Sequence, residues 1–128
     1  MFTVLQGAPA CPKATLDVEE NLRNRLRCIT VAKYGPANPA LANDAFWQRL
    51  ANLWSITPSE AQTMRCGNCA FFDVKPKTLE CIAKGIGRDG IDPYDSIKAG
   101  PLGYCRAFHF KCAAARTCDA WVTGGPLR

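Results

Sequence analysis

Six cysteines between residues 66 and 118 are the side chains whose type and spacing can do chemistry in this sequence. They run Cys66-x2-Cys69-x11-Cys81-x23-Cys105-x6-Cys112-x5-Cys118. The short spacer in Cys66-Gly-Asn-Cys69 turns the chain back on itself and presents two sulfurs to one ion or cluster. A structural zinc ribbon usually brings two such pairs, whereas an iron–sulfur centre accepts single, widely separated thiolates as its remaining ligands. With one CxxC the pattern leans toward iron–sulfur, and structural zinc or a disulfide-only site stand as alternatives. Phe71, Phe72, Tyr104, Phe108, Phe110 and Trp121 each lie within three residues of a cysteine. Such rings would keep water from a cluster, and they would equally form the small core of a zinc or disulfide fold.

Little else offers chemistry. His109 is the only histidine; Rieske-type ligation needs two, so it reads as a residue beside the site or on the surface. Ser55, Ser59 and Ser96 lie in no GxSxG, and no nucleophile–base pair can be assembled, so no enzyme and no small-molecule substrate are expected. Gly85-Ile-Gly87-Arg-Asp-Gly90 has the wrong spacing for a dinucleotide loop and reads as a turn. Cys11 and Cys28 stand apart from the cluster, the first as an exposed thiol and the second as a buried residue bordering a helix stripe. A partner for Cys11 would tether the N-terminus to its own or a neighbouring chain.

These cysteines must be positioned by a chain of 128 residues, enough for one domain with a modest core. Residues 1–14 read as an extended arm, with Pro9 and Pro12 bracketing Cys11. Residues 15–56 read as an amphipathic helical region. Its first helix has Asp17 and Glu20 as a capping-box pattern, Val18, Leu22, Leu26 and Ile29 at helical spacing, and Gly35-Pro36 as a stop. Its second is expected to start at Asn38-Pro39 and to carry Phe46, Leu50, Leu53 and Trp54. Residues 57–128 form the cysteine-rich region, opening with a capping box at Thr57-Pro58-Ser59-Glu60. Beyond it, residues 77–84 are expected to make a helical turn or two and 85–103 to be mostly loop. The fold class expected is mainly α with irregular loops, the loop-rich part requiring a metal or covalent crosslink.

The sequence also resembles a known family. Cys66-Gly-Asn-Cys69-Ala-Phe-Phe, Cys81 followed by Ile82-Ala-Lys-Gly-Ile86, and Gly103-Tyr-Cys105-Arg-Ala-Phe108 resemble high-potential iron–sulfur proteins, and most closely the small proteins of this kind in tailed bacteriophages. Phe46-Trp47, Thr57-Pro58-Ser59-Glu60-Ala61, Met64-Arg-Cys-Gly-Asn-Cys69, Phe110-Lys-Cys112, Arg116-Thr-Cys118-Asp-Ala-Trp121 and Gly124-Gly-Pro126 share in the likeness, which leaves residues 1–37 outside it. The resemblance implies a four-iron four-sulfur cluster on Cys66, Cys69, Cys81 and Cys105. Cys118 is the rival for the last place, because Cys118-Asp-Ala-Trp121 also fits the closing cysteine-x-x-aromatic pattern. Cys112 completes the set of six candidate metal ligands.

The resulting expectation is a structural component of a tailed-phage virion, assembled in the host cytoplasm, with its helices and arm docked on other virion structural proteins. A small iron–sulfur electron carrier is the first alternative and a zinc-stapled nucleic-acid-binding module the second. The opening residues show neither a secretory signal nor a membrane anchor. The net charge of +5 is scattered, with local density only at Arg23, Arg25 and Arg27, which argues against nucleic acid as a partner.

Overall fold

The computed structural model describes residues 10–87 and 92–127. Most of the expected arm, residues 1–9, and part of the turn at residues 85–90 lie outside them. Pro12 leads into a single helical turn, α1 (Lys13–Leu16), and α2 (Val18–Ala32) follows at once. The Asp17 side chain accepts the Glu20 amide at 3.1 Å and caps α2, whose acidic first turn faces the positive end of the helix dipole. Helix α3 (Asp44–Trp54) starts later than expected. Asn38 and Asn43 are the reason: the Asn38 side chain accepts the Ala40 amide and Asn43 donates to the Asn38 carbonyl, closing a turn that uses up the backbone before the helix can begin. Helix α4 (Pro58–Ala61) has the full reciprocal box, Glu60 N–H to Thr57 Oγ1 at 3.1 Å and Thr57 N–H to Glu60 Oε1 at 2.9 Å.

The second half is more regular than its composition predicts. Phe72–Asp73 (β1), Leu102–Cys105 (β2) and Phe110–Ala113 (β3) form an antiparallel sheet in that order, with α5 (Pro76–Ile86) and α6 (Pro93–Ala99) between the first two strands. The expected loop thus holds a helix and a strand, and the class is mixed, with helix over roughly half of the described residues and a small sheet, instead of mainly α.

The sheet separates two cores. Cys105, Phe110 and Cys112 share one face through the pairings Cys105↔Phe110 and Gly103↔Cys112. That face packs on Cys28, Ala32, Tyr34, Phe72 and Cys118. Tyr104 takes the alternate face with Ala14, Ile82, Ala83 and Ile97, so α1, α5 and α6 close the other side. A third cluster, Trp47, Leu50, Ala51 and Ala61, joins α3 to α4. No helix among the described residues is long and apolar enough to cross a membrane.

Helix α2 lies along the outer edge of β3, and its inner face is polar for that reason. Asn21 Oδ1 accepts the Lys111 amide at 2.7 Å and Asn24 donates to the His109 carbonyl at 2.7 Å, satisfying an edge strand that would otherwise be unpaired. The apolar residues Val18, Leu22 and Leu26 are consequently exposed, and the helix buries Cys28 and Ala32 instead.

Candidate metal centre

The CxxC turn is held by its own asparagine. Asn68 Oδ1 accepts the Arg65 amide at 3.0 Å and the Trp121 indole N–H at 2.9 Å, while its amide nitrogen donates to the Thr63 carbonyl at 2.7 Å. The turn, Cys66–Asn68, is then clamped on both sides. Gly67 N–H donates to the Ala114 carbonyl, and Leu127 and Gly125 N–H donate to the carbonyls of Gly67 and Asn68. Arg65 carries the turn to α3 by lying 4.5 Å over the Trp47 ring.

Cys118 is positioned from the N-terminal half. Gly35 and Thr117 exchange both backbone hydrogen bonds, Asp119 N–H donates to the Ala32 carbonyl at 2.7 Å, and Arg49 of α3 grips Asp119 with two nitrogens at 2.8 and 3.2 Å. These contacts make the helical region part of the site. They also bring in Cys28, which is 1% exposed and sits in the same core as Cys112 and Cys118.

Five sulfurs, those of Cys66, Cys69, Cys105, Cys112 and Cys118, line one chamber with Phe71, Phe72, Ala107 and Ala120. Cys81 is elsewhere. Helix α5 takes it to the Tyr104 side of the sheet, where it is 2% exposed and forms a disulfide with Cys11. A sulfur bonded in that way offers no thiolate, so in this structure Cys81 does not join the other expected ligands. The same bond corrects the reading of the arm, since residues 10–14 are tied to the chain's own α5 and Ala14 is buried. His109 is an exposed turn residue at φ 62, joining β2 to β3, and does not line the chamber.

Three sulfurs in the chamber are served by backbone amides. Cys69 Sγ accepts from Val122 N–H at 3.5 Å, and Cys105 Sγ from Phe108 N–H at 3.3 Å. The amides of Phe71, Ala107 and Ala120 favour the thiolates of Cys69, Cys105 and Cys118 in turn, each from two residues along the chain. A single local pattern underlies this: Cys69-x-x-Phe72, Cys105-x-x-Phe108 and Cys118-x-x-Trp121 each turn the chain so that a following amide faces the sulfur, and Phe72 lines the chamber. The sequence held that signal, read at two of the three places.

Electrostatics sorts the thiols. Burial pushes Cys69 and Cys105 up, against their amides. The neighbouring Cys118 thiol and burial push Cys28 up, and the same neighbour holds Cys118 below the ordinary thiol value. Cys66 and burial push Cys112 well above it. Cys28 and Cys112 are therefore the thiols of this core that favour the protonated form.

The wall of this chamber is soft and apolar, without carboxylate or imidazole. Among the described residues no three Cys, His, Asp or Glu side chains form a group that could hold a metal ion. In a four-iron cluster each thiolate binds a different iron, so the sulfurs stand wider apart than around one ion, and amides directed at sulfur tune such a cluster. The donor set fits that group. The space of about 20 Å³ is water-sized, so the thiols would have to part to admit it.

The chain matches no family model, no curated protein and no solved structure. The reading of the site rests on its own geometry and on the resemblance of its motifs.

Proposed function

We propose that this protein is a structural component of a tailed-phage virion and that Cys66, Cys69, Cys105 and Cys118 hold a four-iron four-sulfur cluster. The observation that carries the cluster is the triple cysteine-x-x-aromatic turn, which directs backbone amides at three sulfurs inside a thiol-lined, water-poor chamber. The CxxC supplies the fourth. In this set Cys105 takes the third place and Cys118 the fourth, with Cys28 and Cys112 as neighbouring thiols buried in the same core.

A cluster there would crosslink the CxxC turn, the β2–β3 hairpin and the segment gripped by α2 and α3, which meet at this chamber and nowhere else share a core of comparable size. Such a staple suits a particle protein. The virion assignment draws on the motif resemblance and on an exposed apolar ridge along α2. Anaerobic purification followed by iron, sulfide and zinc quantification tests the cofactor, with about four irons and four sulfides per chain expected. Zinc alone, or neither metal, would remove the cluster, and absence of the protein from purified particles would remove the virion role.

Phe71, 37% exposed, lines the chamber and also reaches solvent. That thin wall favours a second reading, in which the cluster exchanges single electrons with a partner docked at Phe71. Reversible one-electron voltammetry with a soluble reductant would support it.

A further inference from the structure

Helix α2 carries a feature that the metal centre does not use. Val18, Leu22 and Leu26 are 60%, 54% and 61% exposed, and at four-residue spacing they form one ridge spanning about 80° of the helix surface. The ridge stands about a quarter-turn from the buried Cys28 and Ala32, so nothing in the described fold covers it. Along the helix axis the charges are segregated. Asp17, Glu19 and Glu20 lie at the start, and Arg23, Arg25 and Arg27 follow.

We infer that the α2 ridge is an interface with a second copy of this chain, the two helices crossing antiparallel about Leu22. A crossing centred there sets Val18 of each copy against Leu26 of the other and Leu22 against Leu22. Glu19, Arg23 and Arg27 share one flank of the ridge, so the same crossing puts Glu19 of each copy between Arg23 and Arg27 of the other. A parallel pair would turn that flank toward the opposite side of the partner's ridge, away from the partner's Arg23 and Arg27, and leave Glu19 without those contacts. Charge complementarity therefore selects the second copy and its direction together. Glu19 has no ion pair among the described residues, while Arg23 has only an exposed one with Glu20 at 2.7 Å and Arg27 lies 5.8 Å over Phe108. Both arginines can turn outward at little cost.

The inference does not depend on the metal. Sedimentation velocity of the full chain, over a concentration series at low salt, should give twice the 14.0 kDa chain mass. Leu22→Glu should return the single-chain mass with an unchanged far-ultraviolet circular dichroism spectrum and unchanged iron content. Glu19→Arg, and separately Arg23→Glu with Arg27→Glu, should each weaken self-association by about tenfold or more. Mixing those two variants should restore it, because the mixed pair has opposite charges at both contacts. A monomeric wild type would overturn the inference, the ridge then belonging to residues 1–9 or to a different protein. A dimer that survives Leu22→Glu, or a mixture no tighter than its components, would overturn it as well.

Discussion

Cys28 of α2 is buried in the same core as Cys118, so a helix from the first quarter of the chain sets a thiol beside a sulfur near its end. The relationship distinguishes a ligand from a tuning residue. Replacing Cys66, Cys69, Cys105 or Cys118 with serine should abolish bound iron and sulfide. Cys28→Ala should keep both, and the remaining visible absorbance should bleach faster in air, because Cys118 then loses the polar neighbour that favours its thiolate. Cys81→Ser should also keep the iron. Iron lost from Cys81→Ser and kept in Cys118→Ser would return the third place to Cys81.

The disulfide between Cys11 and Cys81 closes a loop with a sequence separation of 70. Constraining a loop of that size in the unfolded chain stabilises the fold by about 4 kcal/mol in the chain-entropy treatment. Cys11→Ser with Cys81→Ser should lower the chemical-denaturation stability by roughly 2 to 4 kcal/mol. Iron content should not change, since the bond lies across the sheet from the chamber. A loss under about 1 kcal/mol would mean that Ala14 and its neighbours hold α1 in place unaided.

Asp73 and Arg106 make a pH-sensitive contact beneath β1. Burial by itself would raise the Asp73 carboxyl, but the Lys75 amide at 2.9 Å, the Arg106 guanidinium and the Thr78 hydroxyl at 2.9 Å together hold it below the usual carboxylate range. With the folded value below the unfolded one, near 4, the contact stabilises the protein fully above about pH 4. That contribution disappears as pH falls through the lower folded value. Asp73→Asn should cost on the order of 2 kcal/mol at neutral pH. It should also flatten the fall in stability below about pH 4, measured by urea denaturation.

Thr117 is fully buried, and its hydroxyl has no hydrogen-bond partner among the described residues. Thr117→Val replaces an unsatisfied polar atom with a methyl of similar size. The expected outcome is an unchanged or raised melting temperature. A drop corresponding to more than about 1 kcal/mol would reveal a partner for the hydroxyl.

Local signals were readable where a few neighbouring residues decide the structure. Asp17 and Thr57 cap the helices they announce, and the CxxC turn forms as its spacing requires. The departures arise where distant segments decide. The motif resemblance made Cys81 the third ligand, but its place in the middle of α5 brings it to Cys11 instead. Cys28 was legible as buried and not as a neighbour of Cys118, since contacts between residues distant in sequence, Gly35 with Thr117 and Ala32 with Asp119, bring those segments together. Val18, Leu22 and Leu26 read as the apolar face of an amphipathic helix, and that face is exposed because the unpaired edge of β3 takes asparagines on the side that packs. Helical periodicity identifies an apolar face without saying what covers it.

The last residues act as a strap over the CxxC turn, and Gly125 is where they touch it. Its amide donates to the Asn68 carbonyl at 2.9 Å, and a Cβ at this position would overlap the backbone of Asn68 and Cys69. Backbone atoms cannot swing aside as a flexible side chain does, so Gly125→Ala must lift the strap. Two contacts should then weaken with it: the Leu127 amide to the Gly67 carbonyl, and the Val122 amide to the Cys69 sulfur at 3.5 Å. The expected cost is about 2 kcal/mol, with faster hydrogen exchange at the amides of Val122, residue 125 and Leu127. Gly67→Ala provides the comparison. Its Cβ would meet only side-chain atoms of Ala114 and Leu127, at 3.1 and 3.3 Å, which can yield by a few tenths of an ångström. Gly125→Ala should therefore be the more damaging change, and equal losses in the two variants would show that the strap is not fixed through Gly125.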